Sequence, residues 1–167
     1  HNDYMAELAY ELDWPALWHQ YFDGLRLRGR ILSNAKNFFN LLEAREASTV
    51  GLAHSRGGPT MLNTLAMLQD AGLDDRMEAL VLVSPISAGI RDSVARASRI
   101  LPSNTISEMR PGSGVLNAWQ RLTPENRAKV VVINGLHGDQ FTTLERGYVD
   151  GGTGVVTAGH DGHIQQV

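Results

Sequence analysis

The chain has 167 residues, of which 43% are hydrophobic and 20% charged, with a formal net charge of −3. At roughly 150 residues per domain this length predicts one domain, residues 1–167, and the balance of apolar and charged residues argues against a disordered tail. No Lys/Arg block offers an electrostatic footprint for nucleic acid, and the lack of cysteine excludes a disulfide scaffold, a zinc knuckle, an iron–sulfur cluster and a Cys nucleophile together.

The absence of cysteine leaves the compartment open between cytoplasm and exterior. No apolar run approaches the roughly 18 residues that span a bilayer, so a soluble chain with no membrane span is expected. The chain starts at His1 with no charged-then-apolar leader, which reads as a processed or truncated start.

In chain order, residues 2–25 carry apolar side chains at helical spacing (Tyr4, Leu8, Leu12, then Leu17, Trp18, Tyr21, Phe22, Leu25), broken at Asp13-Trp14-Pro15. These aromatics read as packing rather than as a ligand cage. A second helix is predicted over residues 29–47, with Ile31, Ala35, Phe38 and Leu42 on one face. The period then changes: residues 48–53, STVGLA, are short, apolar and bounded by small residues, which suits a buried strand. A helix over residues 59–71 follows, closed by Gly72.

The clearest strand is residues 79–84, ALVLVS, ended by Pro85. Residues 91–101 are predicted helical, 102–114 a loop rich in Pro, Ser, Gly and Asn, and 115–122 a short helix. Residues 129–134 form a third strand and 154–157 a weaker fourth. Apolar strands separated by helices predict an α/β fold, a mostly parallel sheet covered on both faces.

In open α/β sheets, functional residues gather at the carboxyl ends of the strands. After the first strand comes Ala53-His54-Ser55-Arg56-Gly57-Gly58, a strand–small–x–Ser–x–Gly–helix arrangement that fits a nucleophile elbow. The turn is tight, so the residues two before and two after the serine must be small. The serine would sit at a helix N-terminus, where free backbone N–H groups favour negative charge, and the N–H of Arg56 would be one oxyanion donor. The simpler alternative is that Ser55 only caps the following helix, although capping alone does not call for glycines at 57 and 58. A phosphate loop of the Walker type fits less well, because no Lys follows the glycines.

Residues 50–60, VGLAHSRGGPT, resemble the elbow of the α/β-hydrolases, in particular of lipase- and esterase-like members, with Ala53 in place of the commoner glycine. Two further stretches are similar to that superfamily: Pro85-Ile86-Ser87-Ala88-Gly89 after the second strand, and Arg110-Pro111-Gly112-Ser113-Gly114-Val115-Leu116. Residues 85–116 would then be a lid or connection. The resemblance implies an acid in the loop after the third strand, where Asp139 stands, to orient the catalytic imidazole. Asp150, in Tyr148-Val149-Asp150-Gly151-Gly152, is the alternate acid and otherwise reads as a turn aspartate. It also implies a base after the last strand, His160 in Gly159-His160-Asp161-Gly162-His163, with His163 as the alternate. The order Ser, Asp, His is that of the superfamily.

The implied activity is a serine hydrolase of small-molecule or lipid carboxylic esters that needs no metal and no organic cofactor. The resemblance covers residues 29–167, the C-terminal half of such a sheet. No His-Gly signature and no strand before Ser48 supplies the second oxyanion donor. This sets up three expectations: a fragment, a sheet completed by another chain or segment, or a reduced relative. Two readings compete with the esterase. One is a non-catalytic binding module of the same fold. The other is a metal-dependent hydrolase using His160, His163 and Asp161 with Asp139 or His137, a loop spacing that matches no helix-borne metal motif.

Overall fold

In this computed structural model, residues 30–90, 107–135 and 149–157 are described. The helices predicted over 2–25 and 91–101 lie outside them. Helix α1 (Ile31–Glu43) buries Ile31, Ala35 and Leu42, the apolar stripe expected of an amphipathic helix. Arg30 at its N-cap supplies no side-chain hydrogen bond. Instead the Glu108 carboxylate accepts from the Ile31 N–H at 2.8 Å, satisfying an amide the helix cannot satisfy itself. The helix ends at Glu43 rather than at 47 because residues 43–48 are all exposed, and no apolar contact holds another turn.

Strand β1 (Thr49–His54) leads into α2 (Gly57–Asp70), a 3₁₀ turn (Asp74–Arg76) and β2 (Met77–Val83). A 3₁₀ stretch (Gly114–Arg121), α3 (Pro124–Ala128), β3 (Val130–Gly135) and β4 (Thr153–Thr157) complete the described chain. The four strands are parallel and lie in the order β1-β2-β3-β4. The short helix predicted over 115–122 is 3₁₀. It stops where Leu122 and Thr123 turn extended, the geometry Pro124 imposes on the residue before it. In the described part of the predicted loop 102–114, Ser107 and Glu108 are helical before the chain turns.

All but one of residues 58–68 in α2 are buried, so its polar side chains must find partners inside. Thr64 Oγ1 lies 3.1 Å from the Thr60 carbonyl and 3.2 Å from that of Ala35, which ties α2 to α1. Asn63 Nδ2 donates to the Pro59 and Val115 carbonyls at 2.8 and 2.7 Å, which ties α2 to the 3₁₀ stretch. Leu62, Leu65 and Leu68 share one apolar cluster with Leu80 and Leu82 of β2 and Val130 and Val132 of β3. Val81, Val83, Val131 and Ile133 alternate with these strand residues and are half-buried. Among the described residues, then, α2 packs on the face that carries Leu80, Leu82, Val130 and Val132.

Candidate active site

Strands β1 and β2 run in register to their ends, with His54 beside Val83, and the chain then turns sharply at Ser55. Ser55 adopts φ +53° and Ser84, the next residue along β2, adopts φ +42°. An L-residue in this left-handed region costs about 1–2 kcal/mol and persists only where its surroundings hold it there. The holding contacts are backbone hydrogen bonds. Ser55 N–H donates to the Val83 carbonyl at 3.0 Å, and Ser84 N–H donates to that of Ile133 at 2.8 Å. The Ser55 carbonyl accepts from Gly58 N–H at 3.0 Å and Ile86 N–H at 3.3 Å. The turn is therefore clamped by the neighbouring strand and by the loop that follows it.

The small residues flanking the serine have the predicted job. A Cβ at Gly57 would stand 3.3 Å from the Ala53 Cβ, so these two positions face each other across the turn. Gly58 is the more demanding position, because a Cβ there would lie 2.5 Å from the Pro85 Cβ. That contact arises on the adjacent strand's exit loop and has no local signature. Ser84 was also missed by sequence reasoning. The available signal was its position, a small residue just after β2 and immediately before a proline.

Ser55 is half-buried, and among the described residues its hydroxyl makes no hydrogen bond. The N-cap of α2 is Arg56, with no side-chain capping bond, so the hydroxyl is not spent on closing the helix. Arg56 places its amide at the first turn of α2, and its carbonyl accepts from Thr60 Oγ1 at 3.2 Å. These groups lie at the carboxyl edge of the sheet. A nucleophile held there faces helix amides that favour developing negative charge.

β3 and β4 end at this same edge, where Gly135 pairs with Thr157. Asp139 follows β3 in sequence and His160 and His163 follow β4; all three, with His137 and Asp161, lie outside the described residues. Asp150, the alternate acid, is among the described residues. It is exposed in the turn that precedes β4, before Gly151 at φ +81°. In a parallel sheet the start of β4 is the end opposite the elbow. Through Val131 and Val81, Thr153 is level with Leu52, three strand positions or about 10 Å short of Ser55, and Asp150 precedes it.

The described part of the expected lid, residues 85–90, is buried except for Ala88. It is pinned at both ends, by Ile86 N–H on the Ser55 carbonyl and by Ile90 N–H on the Met109 carbonyl at 2.9 Å.

No family model matches the chain, and no curated protein matches it. Solved structures do. A Bacillus licheniformis lipase, BlEst2 in its mature form, superposes with a TM-score of 0.65 at 14% identity, over 90% of this chain and 73% of that one. Monoacylglycerol lipase from Paleococcus ferrophilus gives a TM-score of 0.57 at 15% identity, over 96% of this chain and 81% of that one. Phospholipase PlaB from Legionella pneumophila, in complex with thio-NAD, gives 0.51 at 16% identity, over 80% of this chain but only 33% of that one. At such identities the likeness speaks for architecture alone, and that architecture is the α/β-hydrolase fold.

Proposed function

We propose that this chain is a serine hydrolase of carboxylic esters, small-molecule or lipid. The observation that carries the reading is Ser55. Its backbone is held at φ +53° between β1 and α2, and among the described residues its hydroxyl makes no hydrogen bond at the carboxyl edge of a parallel sheet. A left-handed backbone is one that glycine would hold at lower cost, so a serine kept there without capping the helix supports a use of its hydroxyl. Three solved structures of the same fold carry the names lipase and phospholipase, which supports an ester as the substrate class.

In this mechanism Ser55 Oγ attacks the acyl carbon while His160 takes its proton, with His163 as the alternate base. Asp139 orients the imidazole and stabilises the imidazolium. The N–H of Arg56 donates to the oxyanion. Collapse of the tetrahedral intermediate breaks the ester C–O bond. His160 returns its proton to the leaving alcohol, and the acyl group remains on Ser55. Water then attacks the acyl-enzyme with His160 again as base, releasing the carboxylic acid and restoring the serine. Loss of one donor from such a hole typically costs ~2.7–4 kcal/mol of transition-state stabilisation. A second donor is therefore required, from residues outside the described ones or from a chain or segment that completes the sheet.

The test is covalent labelling with a fluorophosphonate probe, wild type against Ser55→Ala, with the adduct mapped by mass spectrometry. The expected result is one adduct on Ser55 that the variant loses. A folded wild-type protein that takes no adduct at Ser55 would overturn the reading.

A further inference from the structure

We propose that Ser84 is a positioning residue for the reaction at Ser55, its hydroxyl donating to the carboxylate that orients the base. This role rests on the function proposed above, in which Asp139 supplies that carboxylate, and adds to it a group that the elbow pattern does not contain.

The register of the sheet places Ser84. His54 pairs with Val83, so Ser55 and Ser84 each stand one step past a paired position, on neighbouring parallel strands about 5 Å apart. Ser55 N–H donates to the Val83 carbonyl at 3.0 Å, and that carbonyl belongs to the peptide whose nitrogen is Ser84's. On its other side Ser84 N–H donates to the Ile133 carbonyl of β3 at 2.8 Å. β2 thus lies between the strand that ends at the nucleophile and the strand that leads to Asp139. An imidazole bridging Ser55 and its acid spans two hydrogen bonds and the width of the ring, roughly 7–8 Å. At a strand spacing of about 4.8 Å, that span from β1 toward β3 ends between β2 and β3. The residue at the end of β2 there is Ser84.

The conformation of Ser84 also calls for a reason. It takes φ +42° although a residue ahead of proline is ordinarily extended, and glycine would hold this backbone at lower cost. At Ser55 the same turn feeds α2, which begins at Gly57. After Ser84 residues 85–90 are not helical, so entry into a helix accounts for one turn and not the other. Ser84 is half-buried, and among the described residues its hydroxyl makes no hydrogen bond. A hydroxyl donating to a carboxylate forms a charge-assisted bond that fixes the acid in place. Ser84 exchanges no proton; the proton of Ser55 still passes to the imidazole.

The test is the rate of fluorophosphonate labelling of Ser55 between about pH 5 and 9. It is read on wild type, Ser84→Gly, Ser84→Ala, Asp139→Asn and the double variant Ser84→Gly/Asp139→Asn, with urea unfolding measured alongside. Ser84→Gly suits the left-handed backbone and should unfold no earlier than wild type, so a slower rate in it is not a fold defect. Both Ser84 variants should label about tenfold more slowly. Their pH profile should move to higher pH, because a carboxylate with one donor fewer holds the imidazolium more strongly. Added to Asp139→Asn, Ser84→Gly should cost less than about a further twofold, since both changes act through one group. An unchanged rate and profile in Ser84→Gly, or a tenfold loss that persists beside Asp139→Asn, would overturn the role while leaving the hydrolase reading intact. A folded wild type without an adduct at Ser55 overturns that reading, and the role of Ser84 with it.

Discussion

At the scale of single residues, Ser55 sets function against stability. Its left-handed backbone is unfavourable by about 1–2 kcal/mol, and glycine would relieve that strain while giving the unfolded chain more freedom to lose. The net expectation for Ser55→Gly is a gain of roughly 0.5–1 kcal/mol in urea unfolding, together with complete loss of probe labelling. Ser55→Ala keeps a Cβ, so it should lose labelling without gaining stability. Gly58→Ala tests the opposite constraint. With 2.5 Å to the Pro85 Cβ, backbone must shift, and a loss of about 1–3 kcal/mol is expected. Gly57→Ala meets Ala53 at 3.3 Å and should cost less. The spacing of Ala53, Ser55 and Gly57 was legible in the sequence because it is a local demand of one turn. The Gly58–Pro85 contact was not legible, because it depends on which strand lies beside β1.

At the scale of elements, strands β1 to β4 were readable from apolar runs bounded by small residues, and α1 and α2 from their spacing. The ties between elements were not readable. Glu108 serving the first amide of α1 and Asn63 bonding Val115 join residues that periodicity does not connect. A further tie, between Lys129 and Asp74, closes the starts of β2 and β3. Lys129 Nζ donates to the Asp74 carbonyl at 2.7 Å and approaches its carboxylate at 3.4 Å. Burial pushes the Asp74 carboxyl up, but its own backbone N–H and the Lys129 charge outweigh this and hold it below its ordinary value of 3.8. A carboxyl lowered by folding contributes stability above its ordinary value, and that contribution disappears as the pH falls through the lowered one. Stability should therefore be insensitive to this group from neutral pH down to about 4, and fall below that. Lys129→Met should reduce stability at neutral pH, raise the Asp74 titration followed by NMR, and flatten the acid loss. An unchanged Asp74 titration in that variant would contradict the account.

At the scale of the whole molecule, a parallel sheet gives the two ends of the strands different tasks. The starting end holds Asp74, Lys129 and Asp150; the finishing end holds Ser55, Ser84 and the residues leading away from Gly135 and Thr157. In the sequence Asp139 and Asp150 look alike, each beside a glycine in a loop between β3 and β4. What separates them is which strand end each adjoins, and that becomes decisive once β4 is seen to begin at Thr153 and to pair in parallel with β3. Polarity therefore yields the sharpest comparison. If Asp139 orients the base, Asp139→Asn leaves the fold intact but supplies the wrong hydrogen-bonding partner, and Ser55 labelling should slow by about 10²–10⁴-fold. Asp150→Asn changes an exposed turn at the far end and should alter the labelling rate by less than about twofold. The two variants should unfold at similar denaturant concentrations, so the difference would lie in the chemistry. The reverse pattern, with Asp150→Asn inactive and Asp139→Asn unaffected, would require the chain after β3 to supply its acid from the wrong end of the sheet, and would refute the assignment of Asp139.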